Sequence, residues 1–244
     1  MKKVIFSLLL ICIAVGTANA QWWQNSKKIK GNGKITSITR TVSDYDKVGL
    51  TGSMDVRLIA GQEGNIQIEA EENLMEYIVT ESKGGRLEIS VKKGYNLQPS
   101  ENNQIMITVP FIDLDAVHLT GSGDITSSDV ISSENFETKV TGSGDVRLRV
   151  KSKNARASVT GSGDIGLSGS AQDFDCNVTG SGDISAFDFQ CERVNATVTG
   201  SGDITIYASE ELKASVPGSG DIKYKGNPKK EDFKSFGSGS ISKQ

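Results

Sequence analysis

The chain alternates apolar and polar residues around a recurring corner. Take the first glycine of each Thr-Gly-Ser-Gly-Asp motif as position zero. Positions −6, −4 and −2 then read Phe136, Thr138, Val140; Ala155, Ala157, Val159; Phe174, Cys176, Val178; Val194, Ala196, Val198; and Leu212, Ala214, Val216. Positions +4 and +6 read Val146, Leu148; Ile165, Leu167; Ile184, Ala186; Ile204, Ile206; and Ile222, Tyr224. Lys, Arg, Ser, Asn and Asp stand between them. A period of two with one apolar face predicts strands on both sides of each corner, followed by a looser return. No window sustains a helical period.

The corner is an internal repeat. Its glycine pairs are Gly121 and Gly123, Gly142 and Gly144, Gly161 and Gly163, Gly180 and Gly182, Gly200 and Gly202, and Gly218 and Gly220. A degraded copy follows at Phe236 to Ile241, so the leading glycines are separated by 21, 19, 19, 20, 18 and 19 residues. An earlier relative, Thr51-Gly52-Ser53-Met54-Asp55-Val56, carries Met54 in place of the second glycine. One unit cannot bury its apolar face alone, whereas stacked units share a continuous core. The sequence therefore predicts an all-β, single-domain parallel β-solenoid with about 19 residues per coil in its C-terminal half. A sandwich of antiparallel hairpins is the rival, but would not need one corner repeated at one step. Position −4 becomes a ladder of small residues where facing walls come close. The glycines suit a bend that needs positive φ or close backbone approach.

Residues 35–110 are less regular and read as longer coils of the same solenoid, with the regular coils occupying 111–241. Strands are expected at Ile66–Ile68, Tyr77–Thr80, Arg86–Val91 and Ile105–Val109, with a turn at Lys83-Gly84-Gly85-Arg86. One helical turn fits Asn73–Glu76, and Gly94–Asn103 reads as an exposed loop. Gly226–Phe236 reads as a polar excursion before the imperfect last coil, a cap against end-to-end stacking.

Residues 1–20 read as an address. A basic start at Lys2-Lys3, an apolar run from Val4 to Val15 and a final Ala18-Asn19-Ala20 form a secretory signal peptide with a cut after Ala20. The run is too short for a transmembrane span. Ile11 before Cys12 does not suit a lipoprotein cleavage site. The remainder, a 21–34 N-terminal segment followed by the 35–241 domain, contains no second apolar stretch to hold it in a bilayer. Trp22 and Trp23 could plug the first coil.

Composition narrows function more than it assigns it. The formal charge of −3 over 244 residues changes to 25 basic against 30 acidic residues once Lys2 and Lys3 are removed. With no basic excess, nucleic acid is not an expected partner. The single histidine, His118, argues against a His-rich metal site and against most histidine triads. It falls at the outward position −3 and reads as solvated. Cys176 falls on the small-residue ladder and Cys191 on the looser return. Their different phases speak against a disulfide.

The outward Asp124, Asp145, Asp164, Asp183, Asp203 and Asp221 should form a row. Carboxylates ~5 Å apart repel by roughly 0.8 kcal/mol in water and several-fold more at a lower effective dielectric. Two readings relieve this. The row could bind a cation such as Ca²⁺, or each Asp could accept backbone N–H groups of its own glycine turn. One carboxylate per coil is sparse for a calcium cage, which favours the second reading and no cofactor. Asp145, Asp164 and Arg147 could be posed as the acid cluster of a polysaccharide lyase or hydrolase. An active site is singular, however, and these aspartates recur coil after coil. No catalytic residue is assigned.

The signal peptide, a first coil at Tyr45-Asp46-Lys47-Val48-Gly49-Leu50-Thr51-Gly52, the Pro110-Phe111-Ile112 segment and the repeated Gly-Ser-Gly-Asp corners resemble the putative auto-transporter adhesin, head GIN domain family. The resemblance spans roughly residues 35 to 240. That family occurs mainly in exported proteins of Bacteroidetes-type bacteria. The resemblance implies a right-handed β-helix similar to that of pectate-lyase-like proteins, and an adhesin role that rests on fold analogy. It implies no catalytic residues. The expected protein is exported to the periplasm or cell surface of a Gram-negative bacterium. There it would present Ser, Thr and Asp ladders to a glycan or protein partner. The alternatives are a periplasmic structural module without external ligand and, less favoured, a polysaccharide-active enzyme. Oligomeric state is open.

Overall fold

A computed structural model describes residues 26–244. The proposed signal peptide, Cys12, Trp22 and Trp23 lie outside the described residues. The fold is a β-solenoid of stacked parallel coils, about seven turns spaced about 19 residues apart. Each regular coil is one long strand bent through the return: Ile125–Gly142, Val146–Gly161, Ile165–Gly180, Ile184–Gly200 and Ile204–Val216. Neighbours pair in parallel and in register. Val140, Val159, Val178 and Val198 stack, as do Thr141, Thr160, Thr179 and Thr199. The +4 column runs Ile125, Val146, Ile165, Ile184, Ile204, Ile222 and Ile241.

Burial follows the period of two. The −4 ladder of Thr138, Ala157, Cys176, Ala196 and Ala214 is fully or almost fully buried, as is the −2 column of valines. Among the described residues the two cysteines, Cys176 and Cys191, are free and buried. Cys191 is therefore part of the core and not of a loose return, because the return is itself strand (Ile184–Gly200) and packs inward. Burial, followed by the neighbouring Cys191, pushes the Cys176 thiol up, and burial pushes Cys191 up to about 12. Neither is a ready thiolate at neutral pH.

The N-terminal region joins the stack out of sequence order. Lys47–Gly52 lies in parallel between Ala116–Gly121 and Arg86–Val91, so the Thr51 corner sits directly beside the Thr120 corner. Asp55–Ala60 likewise lies between Ile125–Ser127 and Met106–Phe111. The remaining strands correct the expectation of longer coils. Ile35–Thr41 pairs antiparallel with Asn65–Glu71, which pairs antiparallel with Met106–Phe111. Ile78–Lys83 and Arg86–Val91 form an antiparallel hairpin. A tight turn such as Gly84-Gly85 can only reverse the chain, while parallel pairing needs a crossover. The expected helical turn is present as a 3₁₀ segment, Glu72–Tyr77, with Leu74 and Met75 buried. The Gly94–Asn103 stretch is not all loop: Tyr95–Gln98 pairs in parallel with Lys27–Lys30 in a separate two-stranded sheet.

Glu71 fastens this region. Its side chain is buried and accepts the Ser100 hydroxyl (2.6 Å), the Ser100 N–H (2.9 Å) and the Gly33 N–H (2.5 Å). Burial raises its pKa, but the bonds from Ser100, Gly33 and Asn103 outweigh burial and hold it below the ordinary glutamate range. A carboxyl depressed in the folded state stabilises above its unfolded pKa, and that contribution is lost as pH falls through the folded value. Acid should therefore loosen the N-terminal region. Urea unfolding at pH 7 and pH 3 should show a smaller pH-dependent loss for Glu71→Gln than for the wild type. Equal losses would mean that Glu71 does not couple to folding.

Candidate ligand groove and aspartate ladder

The corner is stitched between coils and not within them. The Ser143 and Gly144 N–H groups both donate to the Gly121 carbonyl of the preceding coil (2.9 and 3.1 Å), and the pattern repeats through the corner at Ser219 and Gly220; in the degraded last corner the Gly239 N–H alone donates to the Gly218 carbonyl (3.4 Å). The aspartates follow the same rule. The Asp145 N–H donates to Asp124 Oδ1 (3.1 Å), Asp164 to Asp145 (3.1 Å), Asp183 to Asp164 (2.9 Å), Asp203 to Asp183 (2.7 Å) and Asp221 to Asp203 (2.7 Å). Asp55 begins the ladder by accepting the Asp124 N–H (3.0 Å). Ser240 ends it, donating both its N–H and its hydroxyl to Asp221 Oδ1 (2.8 and 2.9 Å). These bonds from Ser240 hold the Asp221 carboxyl below the usual range.

Each carboxylate thus bonds to the next coil, where the sequence pointed to its own turn. A side chain at the corner lies as close to the N–H one coil ahead as to its own. Charge-assisted bonds of this kind contribute about 1.5–3 kcal/mol each, which exceeds the repulsion between solvated neighbours. Among the described residues no group of three or more His, Cys, Asp or Glu is placed to hold a metal ion. Asp164→Asn keeps the acceptor and removes a charge, so its stability should stay within about 0.5 kcal/mol of wild type. Asp164→Ala should lose about 1–2 kcal/mol. Equal loss in both variants, together with a wild-type melting temperature that EDTA lowers and Ca²⁺ restores, would instead indicate a cation on the row.

Arg147 Nη2 lies 2.8 Å from Asp145 Oδ2, and Asp164 is one coil on. This trio recurs in part on every coil and makes no singular cluster. His118 is half-buried and not freely solvated. Its Nδ1 is 2.9 Å from Arg86 Nη2 and its Nε2 is 3.6 Å from Glu137. Burial and then Arg86 lower its pKa, against the opposing pull of Glu137.

The most site-like feature is a groove across the coils beside positions −7 and −5. A cavity of about 580 Å³ is lined at one end by Lys47 and Asp115 and at the other by Asp173 and Asp175. A second, of about 280 Å³, shares Asp173 and Asp175 and continues to Glu211 and Lys213. The walls are two ladders. Position −7 carries Asn135, Asn154, Asp173, Arg193 and Glu211, and position −5 carries Glu137, Arg156, Asp175, Asn195 and Lys213. The Asn154 amide donates to Asn135 (2.8 Å), and Arg193 donates through Nε and Nη2 to both oxygens of Asp173 (2.5 and 2.8 Å). Arg156 stays loose, 3.9 Å from Asp175 with its side chain 61% exposed. Sequence reasoning misses these residues, because charged and amide side chains at outward strand positions look like an ordinary solvated face. Their recurrence at the same two phases is the available signal.

Among the described residues no helix is long and apolar enough to cross a membrane. A search of curated proteins finds no match. Solved structures do match. A protein from Bacteroides fragilis described as a putative adhesin superposes with a TM-score of 0.80 at 26% identity, over 88% of this chain and 100% of that one. A protein from Parabacteroides distasonis described as a putative lipid binding protein superposes with a TM-score of 0.74 at 31% identity, over 89% of this chain and 100% of that one. The profile of the family described as putative auto-transporter adhesin, head GIN domain, matches residues 44–228. With the repeated corner, the parallel solenoid and more than half of the sequence in agreement, the chain belongs to that adhesin head GIN domain family.

Proposed function

We propose that this protein is an exported, non-catalytic adhesin-type module that holds an extended glycan along the groove between Lys47 and Lys213. The observation that carries this reading is the continuity of the two cavities across successive coils, walled by amide, carboxylate and guanidinium groups. Polar groups repeating at one strand spacing, about 4.8 Å, suit a polymer with repeating hydroxyls. The charged and amide walls suit sugar hydroxyls, and the apolar floor between them, Phe136, Ala155, Phe174 and Val194, suits the faces of sugar rings; the lipid-binding description of the Parabacteroides distasonis neighbour is not carried over. Many weak contacts along one wall give useful avidity without any tight single site.

The test is a glycan-binding screen followed by calorimetry on the best ligand. Arg156→Ala should weaken binding about tenfold or more, since a lost charged hydrogen bond is worth about 1.5–3 kcal/mol. The melting temperature should hardly move. Thr179→Val, on the outward −1 ladder, should leave affinity unchanged. No new reducing or unsaturated ends should appear on prolonged incubation. Binding that ignores Arg156 would remove the groove, and turnover would restore the enzyme reading. Protease treatment of intact cells, with a periplasmic marker intact, should clip the protein if it faces outward.

A further inference from the structure

The two ends of the solenoid differ. At the N-terminal end the main sheet finishes on antiparallel strands, with Leu74 and Met75 buried nearby. At the C-terminal end the last coil is formed by Lys230–Ser235, paired to Glu211–Val216, and by Ile241–Lys243, paired to Ile222–Tyr224. Among the described residues nothing pairs with its outer edge. Alternate residues of a parallel strand direct their N–H and C=O to opposite neighbours. The Phe236 N–H donates back to the Val216 carbonyl (3.0 Å). Asp232 and Lys234, in the same phase, therefore also face back, and Glu231, Phe233 and Ser235 direct their backbone groups off the end. The same end exposes large apolar side chains: Phe233 is 38% and Phe236 77% exposed. The polar cap expected from the sequence is thus incomplete.

We propose that this edge is a self-complementary interface, on which two copies pair antiparallel, end to end, about a twofold axis at Phe233. The register follows from the free backbone groups. Only odd residues carry them, so odd must face odd. Centring on Phe233 sets it against the partner's Phe233 and sets Glu231 against the partner's Ser235. Every forward N–H and C=O from Glu231 to Ser235 is then used. The same register sets Asp232 against the partner's Lys234, twice by symmetry, and Lys230 against the partner's Phe236. The first is an opposite-charge cross-strand pair and the second a cation over an aromatic face. Phe233 already leans on Tyr224, with ring centroids 5.5 Å apart, and the Tyr224 hydroxyl donates to Glu231 (3.0 Å). The inward half of the edge is thus held in place before any partner arrives. An isologous contact closes at two copies and does not run on into a filament. Charged side chains on an edge strand ordinarily guard it against pairing; here the charges are of both signs, and in this register Asp232 and Lys234 fall opposite their complements.

A twofold axis normal to this sheet leaves the outward faces of both copies on the same side. If the groove binds a glycan, the pair presents two grooves to one surface. The interface itself does not depend on that reading, and its test uses no ligand. Light scattering or sedimentation of the purified protein across micromolar concentrations should show a dimer that dissociates on dilution. Lys234→Asp puts like charges opposite each other and should raise the dissociation constant at least tenfold. The double swap Asp232→Lys with Lys234→Asp restores the pair and should restore the dimer. Phe236→Ser, exposed and outside the core, should weaken it without lowering the melting temperature. A monomer at a hundred micromolar would overturn the proposal, as would a dimer indifferent to Lys234→Asp.

Discussion

Gly161→Ala should destabilise the protein by about 3–5 kcal/mol, the upper end of single-substitution effects. Gly161 has φ +124°, a conformation that L side chains rarely adopt, and a Cβ there would lie 2.3 Å from the Gly142 carbonyl oxygen. That oxygen is the acceptor for Ser162 and Gly163, so it cannot move away without breaking the stitch between coils. Gly163→Ala separates the two causes. Its φ is not positive, but its Cβ would come 2.1 Å from the Gly144 oxygen. A comparable loss at Gly163 identifies backbone approach as the main cause. Gly84→Ala is the control, with φ +60° and no atom within 4 Å of the added Cβ; only conformational strain of about 1–2 kcal/mol remains. For a chain of this size the expected fall in melting temperature is about 2–4 °C per kcal/mol. Because coil contacts are between nearest neighbours, the Gly161 variant should also unfold in more than one step. Three variants of equal stability would contradict this account of the corner.

Phe189→Ala should cost about 3–5 kcal/mol. Phe189 is fully buried and meets Phe174 edge-on, ring centroids 5.1 Å apart at 82°. It sits where the ladder slips, opposite Gly169 and between shifts at Gly166/Ser168 on one side and Ala186/Gln190 on the other. The surrounding walls are backbone held by ladders on both sides, so they cannot collapse into the space. Phe187→Ala is the counterpart. Phe187 is half-buried under the Lys225 ammonium, 4.3 Å from its ring centroid, and its loss should cost about 1 kcal/mol or less. Urea denaturation of the pair gives the comparison. Similar midpoints would mean that the slipped coil is loosely packed.

Phe189 also marks where sequence reading stops. Every residue in phase with the repeat is placeable, because stacking puts the same environment at the same phase on each coil. The extra residue in the Ile184–Gly200 coil breaks that phase. Periodicity therefore gives no face for Phe189 or for Cys191. The aspartate row is legible as a row, but its partners are not: a hydrogen bond to the same coil and one to the next leave identical traces in the sequence. The groove residues are hidden by their type, since Asn, Asp and Arg on an outward face need no explanation until a concavity joins them.

Residues 35–110 show the same division. Their strands are legible as alternating segments, yet the chain there returns by tight turns and inserts Lys47–Gly52 beside Ala116–Gly121, far along the sequence. The pairing of distant strands is chosen by joint burial of their inward faces, and no local pattern encodes it. Met54 is instructive. It stands where later corners have glycine, and Gly123 packs onto its carbonyl so closely that a Cβ added at Gly123 would lie 1.8 Å from that oxygen. Glycine is demanded by the corner beneath it, and the Met54 corner is the first of the stack. The solenoid, its step and its inward faces are dictated by the residue pattern alone, because a 19-residue repeat with a period of two admits few other ways to bury its apolar side. Packing in three dimensions settles which corner begins the stack, where the aspartates bond, where a groove opens and which edge has no partner strand among the described residues. Each of these depends on what lies one coil away in space.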